Sequence, residues 1–190
     1  MNFFDYNIKT KGEGMKYIWL LALGLSLGMA ESFTLESKDL TGQLSKVQEF
    51  NGFGCTGENV SPQLHWSHAP KGTKSFALTV YDPDAPTGSG WWHWLVVNIP
   101  VATKSISTDA SAKHALPKGA VETMTDYGTA AFGGACPPKG DKAHRYVFTV
   151  HALNVEKLDL TAKSDSALVG YMINAHSIQK ASMISYYGRK

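Results

Sequence analysis

The chain has 190 residues, 43% of them hydrophobic and 18% charged, with a formal net charge of +2. That is enough chain for one domain with a sizeable core, and too apolar for a disordered one. No Lys/Arg cluster stands out, so nucleic acid has no electrostatic support as a partner.

Lys16 precedes the apolar run Tyr17 to Leu27, which ends in Gly28-Met29-Ala30. A basic start, a short apolar stretch and small residues at the end predict a secretory signal peptide over 15–30, cleaved after Ala30. The run is too short for a comfortable membrane span, so no transmembrane anchor is expected after cleavage. Residues 1–14 are polar and lie upstream of Met15, which marks them as a mis-called extension. The mature domain is then 31–190, placed in the periplasm or secreted. It holds Cys55 and Cys136; an even count in an exported chain predicts one disulfide. Two cysteines alone do not make a structural zinc site.

Phe33 to Ser37 alternates as a strand does. Phe50 to Asn59 is rich in Gly and Asn and reads as a loop. Ser75 to Tyr81 places Phe76, Leu78 and Val80 on one face of a strand, which runs into Asp82-Pro83-Asp84-Ala85-Pro86. Trp91 to Ile99 is almost wholly apolar and fits a strand buried on both faces. Residues 101–135 form a long loop region with short strands such as Gly119 to Val121. Tyr146 to Leu153 is another strand, its face continuing back to His144. Leu168, Tyr171, Met172, Ala175 and Ile178 fit one face of a helix capped by Ser164 or Asp165, and Ile184 to Tyr187 a last short strand. One β-dominated domain follows.

Three segments combine stiff backbone with ionisable groups. Asp82 to Pro86 presents two carboxylates, as a pocket wall or as an ordinary turn. His93, between Trp92 and Trp94, is either hydrogen-bonded core or the polar floor of an aromatic cleft. Gly133-Gly134-Ala135-Cys136-Pro137-Pro138-Lys139-Gly140 joins glycines that let amides approach a ligand to prolines that hold the loop still. His144 and Tyr146, two apart on a strand, then point the same way, with Arg145 opposite.

Together these segments resemble the signature of the phosphatidylethanolamine-binding protein family, also called Raf kinase inhibitor protein-like. The match in order and spacing covers about residues 50 to 187. Phe53-Gly54-Cys55 and Gly134-Ala135-Cys136, with the signal peptide, look most like the exported bacterial YbcL/YbhB-like branch. The resemblance implies an antiparallel β-sandwich with a peripheral C-terminal helix. It implies a pocket for phosphate, acetate or phospholipid head groups. By motif position Asp82, Asp84, His93, His144 and Tyr146 would line it. Pro86, Gly134 and Cys136 would shape its wall, and a Cys55–Cys136 bond would pin the Gly-rich loop beside it. Animal members carry two consecutive histidines where this chain has Trp92-His93, so a more aromatic, less basic pocket mouth is expected.

The leading expectation is a non-enzymatic binding protein for a small anionic or phosphorylated ligand, with no cofactor and no metal. At least one aspartate should hydrogen-bond a histidine and fix its tautomer. An alternative is a metal-assisted or histidine-based hydrolase using the same pocket, although no HExxH or GxSxG motif is present. Another is an envelope or host-interaction protein that meets a partner through 101–135. A homodimer is an expectation from the resemblance alone.

Overall fold

Alternating apolar residues build two sheets that close on one another. β1 (Thr34–Glu36), β2 (Leu64–Ser67), β3 (Ser75–Asp82) and β4 (Trp91–Pro100) are followed by the two-residue strands β5 (Ser105–Ile106) and β6 (Val121–Glu122). Then come β7 (His144–Leu153), α1 (Ser166–His176) and β8 (Ser177–Tyr187). The computed structural model describes residues 31–190. The expected extension over 1–14 and signal peptide over 15–30 lie outside the described residues.

The small sheet has the order β1-β2-β5 and the large one β6-β4-β3-β7-β8, with every named strand pair antiparallel. Between them lies the main core. Phe76, Leu78, Val80, Phe148 and Val150 of the large sheet meet Leu35, Leu64, Trp66 and Ile106 of the small one. Burial of these side chains is the chief drive for closing the sandwich. A second cluster covers the outer face of the large sheet. There Val169 and Ile173 of α1, with Leu158 and Leu160, pack on Ala77, Leu95, Val97 and Leu153.

Two bulges in β4 break simple alternation. Val80 faces Trp94 while Tyr81 faces Trp92, which leaves His93 as the extra residue. His93 and Trp94 therefore both contact inner-face side chains, His93 with Tyr146 and Trp94 with Phe132. A bulge re-aims a side chain in this way at the cost of one ladder position. A second shift lies between Phe76 and Leu78, opposite Asn98, whose φ is 59°. The Asn98 amide holds the chain there, donating to Leu158 O and accepting from Leu158 N.

The C-terminal third departs from the sequence reading. Asp165 does cap α1, its carboxylate accepting from Leu168 N at 2.9 Å. The buried positions, however, are Val169 and Ile173, and Leu168 and Tyr171 are exposed. The helix ends at His176, and Ile178 belongs to β8. β8 is an eleven-residue strand paired along the whole of β7, much longer than the expected Ile184 to Tyr187.

Candidate functional site

Asp82 ends β3, while Trp91 and His144 begin β4 and β7, so three strand termini meet at one end of the large sheet. A pocket of about 180 Å³ opens there. Its floor is Asp82, His93, His144 and Tyr146; its walls are Pro86, Trp91, Tyr127, Phe53 and the run Cys136 to Pro138. Disulfide Cys55–Cys136 joins the Phe53 loop to the Pro137 loop.

The floor is buried and ordered from below. His144 Nδ1 donates to Asp82 Oδ2 at 2.8 Å, and both side chains are almost inaccessible. Asp82 Oδ1 also accepts from Asp84 N at 2.8 Å. The carboxylate thus fixes one imidazole nitrogen and leaves Nε2 for the pocket, where Asp141 at the rim lies 3.6 Å away. His93 is held differently. Its Nδ1 donates to Gly133 O at 2.8 Å and Gly134 O at 3.1 Å. Burial holds the His93 imidazole below the ordinary histidine value, outweighing the raising effect of those carbonyls and of Asp82. Burial thus favours the neutral ring, whose Nε2 has no hydrogen-bond partner.

Three buried polar atoms on pocket residues have no hydrogen-bond partner: His93 Nε2, Tyr146 Oη and Trp91 Nε1. An unmet buried group costs about 1–3 kcal/mol, so such atoms gather where a ligand or water completes them. Burial pushes the Tyr146 phenol well up, so it stays an O–H. Of these three atoms, His93 Nε2 is an acceptor, Trp91 Nε1 a donor and Tyr146 Oη either.

The expected residues fall into two groups. Asp82, Pro86, His93, Cys136, His144 and Tyr146 all border the pocket. Asp84 does not. Its carboxylate takes a bidentate pair from Arg145, Nε to Oδ2 at 2.9 Å and Nη2 to Oδ1 at 2.8 Å, and also accepts from Arg145 N. That guanidinium holds the Asp84 carboxyl well below the usual range. Arg145 lies on the outer face of β7, so it draws Asp84 away from the floor. Gly134 lies behind the wall. A Cβ there would meet Gln48 O at 2.2 Å, and its carbonyl accepts from Tyr127 Oη at 2.8 Å. Asp84→Asn is accordingly expected to leave the His144 ring held as in wild type, and Asp82→Asn to release it by removing the Nδ1 hydrogen bond. Nitrogen NMR of the His144 imidazole in the two variants checks this.

Trp92 also differs from expectation. It packs on the outer face with Tyr81, ring centroids 4.5 Å apart, and not at the pocket mouth. The aromatic mouth comes from Trp91, Tyr127 and Phe53. Tyr127 gathers the loops, stacking on Phe50 at 4.2 Å and meeting Trp91 and His93 edge-on. Gly90 leaves room for the Tyr81 ring: its φ is +69°, and a Cβ would strike Tyr81 Oη at 2.2 Å. Tyr127 sits in an aperiodic loop, and no local pattern marks it. Among the described residues, no group of three or more His, Cys, Asp and Glu side chains is placed to hold a metal ion.

The family model described as phosphatidylethanolamine-binding protein matches residues 39–188. YbcL of Escherichia coli K12 is 54% identical over 162 residues, spanning 83% of this chain and 88% of that protein. YbhB of the same strain is 49% identical over 139 residues, covering 73% of this chain and 87% of YbhB. The crystal structure of E. coli YbcL, described as a new member of the mammalian PEBP family, superposes with a TM-score of 0.81. That alignment is 53% identical and covers 83% of this chain and 99% of that one. A homologue from Chlamydia trachomatis, CT736, is 25% identical with a TM-score of 0.69, covering 84% and 99%. The two-sheet fold, the matched span and these relatives together establish that the chain belongs to the phosphatidylethanolamine-binding protein family.

Proposed function

We propose that this protein is a non-catalytic binding protein of the cell envelope or exterior, and that its pocket takes the anionic end of a small phosphorylated ligand. The observation that carries this reading is the unmet set of polar atoms around an oriented histidine: His93 Nε2, Tyr146 Oη and Trp91 Nε1 beside the Asp82–His144 pair. Trp91 Nε1 and Tyr146 Oη donate to ligand oxygens. The Asp82 bond at Nδ1 leaves Nε2 as the ligand-facing nitrogen of His144. His93 Nε2 needs a hydrogen from the ligand. A phosphate monoester monoanion presents one protonated oxygen with its charged ones and satisfies both demands.

Two observations favour binding over hydrolysis. Cys136 is in a disulfide, and the Thr87 hydroxyl donates to Gly90 O, so neither is a free nucleophile beside the Asp82–His144 pair. The disulfide also supports an oxidising compartment.

The test is selectivity. Sulfate matches phosphate in size but carries no proton near neutrality, so it leaves His93 Nε2 facing an oxygen lone pair. Phosphate is expected to bind about tenfold or more tighter than sulfate at about pH 6, from the cost of one unmet buried acceptor. Equal affinity for both would remove His93 from ligand recognition. Saturable turnover of a phosphate ester by the purified protein would overturn the non-catalytic reading.

A further inference from the structure

The chain does not finish at β8. Gly188, Arg189 and Lys190 continue across the back of the pocket wall, and Arg189 lies between the two loops that form it. Its Nε donates to Pro137 O at 2.7 Å and its Nη1 to Gly54 O at 2.9 Å. Gly54 precedes Cys55 and Pro137 follows Cys136, so one guanidinium grips the carbonyls adjoining both halves of the disulfide. Gly140 N donates back to Arg189 O at 3.1 Å, in a parallel bridge between Lys139 and Arg189. Two residues earlier, the Tyr187 hydroxyl donates to the buried Glu49 carboxylate, and Glu49 is bridged to Ala135.

We propose that Arg189 is a positioning residue for the pocket: it sets the spacing between Phe53 on one loop and Pro137-Pro138 on the other. A disulfide is a single tether with rotatable bonds on either side, so it limits separation without fixing relative orientation. A planar guanidinium with two donors in a rigid fork fixes both. Lysine supplies a compact charge that does not span two carbonyls in that geometry, so Arg189→Lys is not a conservative change here. The affinity part of the test rests on the binding reading above; the loop part stands without it.

The experiment compares Arg189→Gln, Arg189→Lys and wild type, all oxidised, by hydrogen exchange, melting temperature and phosphate titration. Exchange is expected to rise about tenfold in 52–57 and 134–140 and to stay unchanged in β3, β4 and β7. Phosphate affinity should fall severalfold in both variants with little change in melting temperature. Unchanged loop exchange would overturn the proposal. So would a rise spread evenly over the sheets, which signals general destabilisation, or loosened loops with unaltered phosphate affinity. If wild type itself binds no phosphate, the binding reading fails and the clamp is judged by loop exchange and by reduction of Cys55–Cys136 with dithiothreitol. Faster reduction in Arg189→Gln supports it, and equal rates with equal exchange refute it.

Discussion

Removing the Cys55–Cys136 bond is expected to lower the unfolding free energy by about 4–5 kcal/mol. The two cysteines are 81 residues apart. Closing so long a loop in the unfolded chain carries an entropic cost of about that size in the chain-entropy model. The folded state should change little, because Glu49, Tyr187 and Arg189 hold the same loops by independent hydrogen bonds. Urea unfolding with and without reductant checks this. The midpoint should fall by about 2 M for a domain of this size, with a steeper dependence on urea as the unfolded chain expands. A loss under about 1 kcal/mol would mean that the unfolded chain already keeps the two loops together, or that the bond is strained in the fold.

Acid should unfold the protein partly through one carboxylate. Glu49 is fully buried, which alone raises its pKa. Lys46 Nζ donates to both its oxygens at 2.6 and 2.8 Å, Thr56 N donates at 2.8 Å, and the Tyr187 hydroxyl adds a fourth bond. These outweigh burial and bring the carboxyl from 4.5 to about 2. A lowered folded-state value means that the unfolded chain binds the proton first. The stability this group contributes is present above pH 4.5 and is lost as pH falls from there towards about 2. Its full size is about 3 kcal/mol. Glu49→Gln should therefore be about 3 kcal/mol less stable than wild type near pH 7, with the gap closing in strong acid. A gap that stays constant with pH would show that the loss is one of packing and not of charge. His151 acts in the same direction at higher pH. Burial, helped by Lys180, lowers it from 6.5 to about 4, so its contribution is lost as pH falls through that interval.

The sequence was most legible where one period governs a segment. Phe76, Leu78 and Val80, and His144, Tyr146, Phe148 and Val150, alternate without interruption, and their faces follow directly. β4 obscures its own faces, because bulges at His93 and near Asn98 shift the alternation twice in ten residues. That is why Trp92 reads as a pocket neighbour of His93 and instead lies on the opposite face. The junction of α1 and β8 hides for a related reason. Ile178 extends the helical period by chance, whereas pairing of Ser177 with Leu153 starts the strand. At the site, the motif brings six of the eight expected residues to the pocket border. It does not show that Arg145, the outward neighbour of His144, captures Asp84. Arg189 and Glu49 were invisible because their partners are loop carbonyls and amides far away in the chain.

The most direct test is a phosphate titration of the oxidised protein, following tryptophan fluorescence. Trp91 borders the pocket and meets Tyr127 edge-on, so its emission reports on occupancy. His144→Ala serves as the control, its melting curve checked first because His144 is buried against Asp82. Saturable binding that is lost in His144→Ala is the expected result. Binding indifferent to His144, or no binding at all, would contradict an anion pocket built on the Asp82–His144 pair.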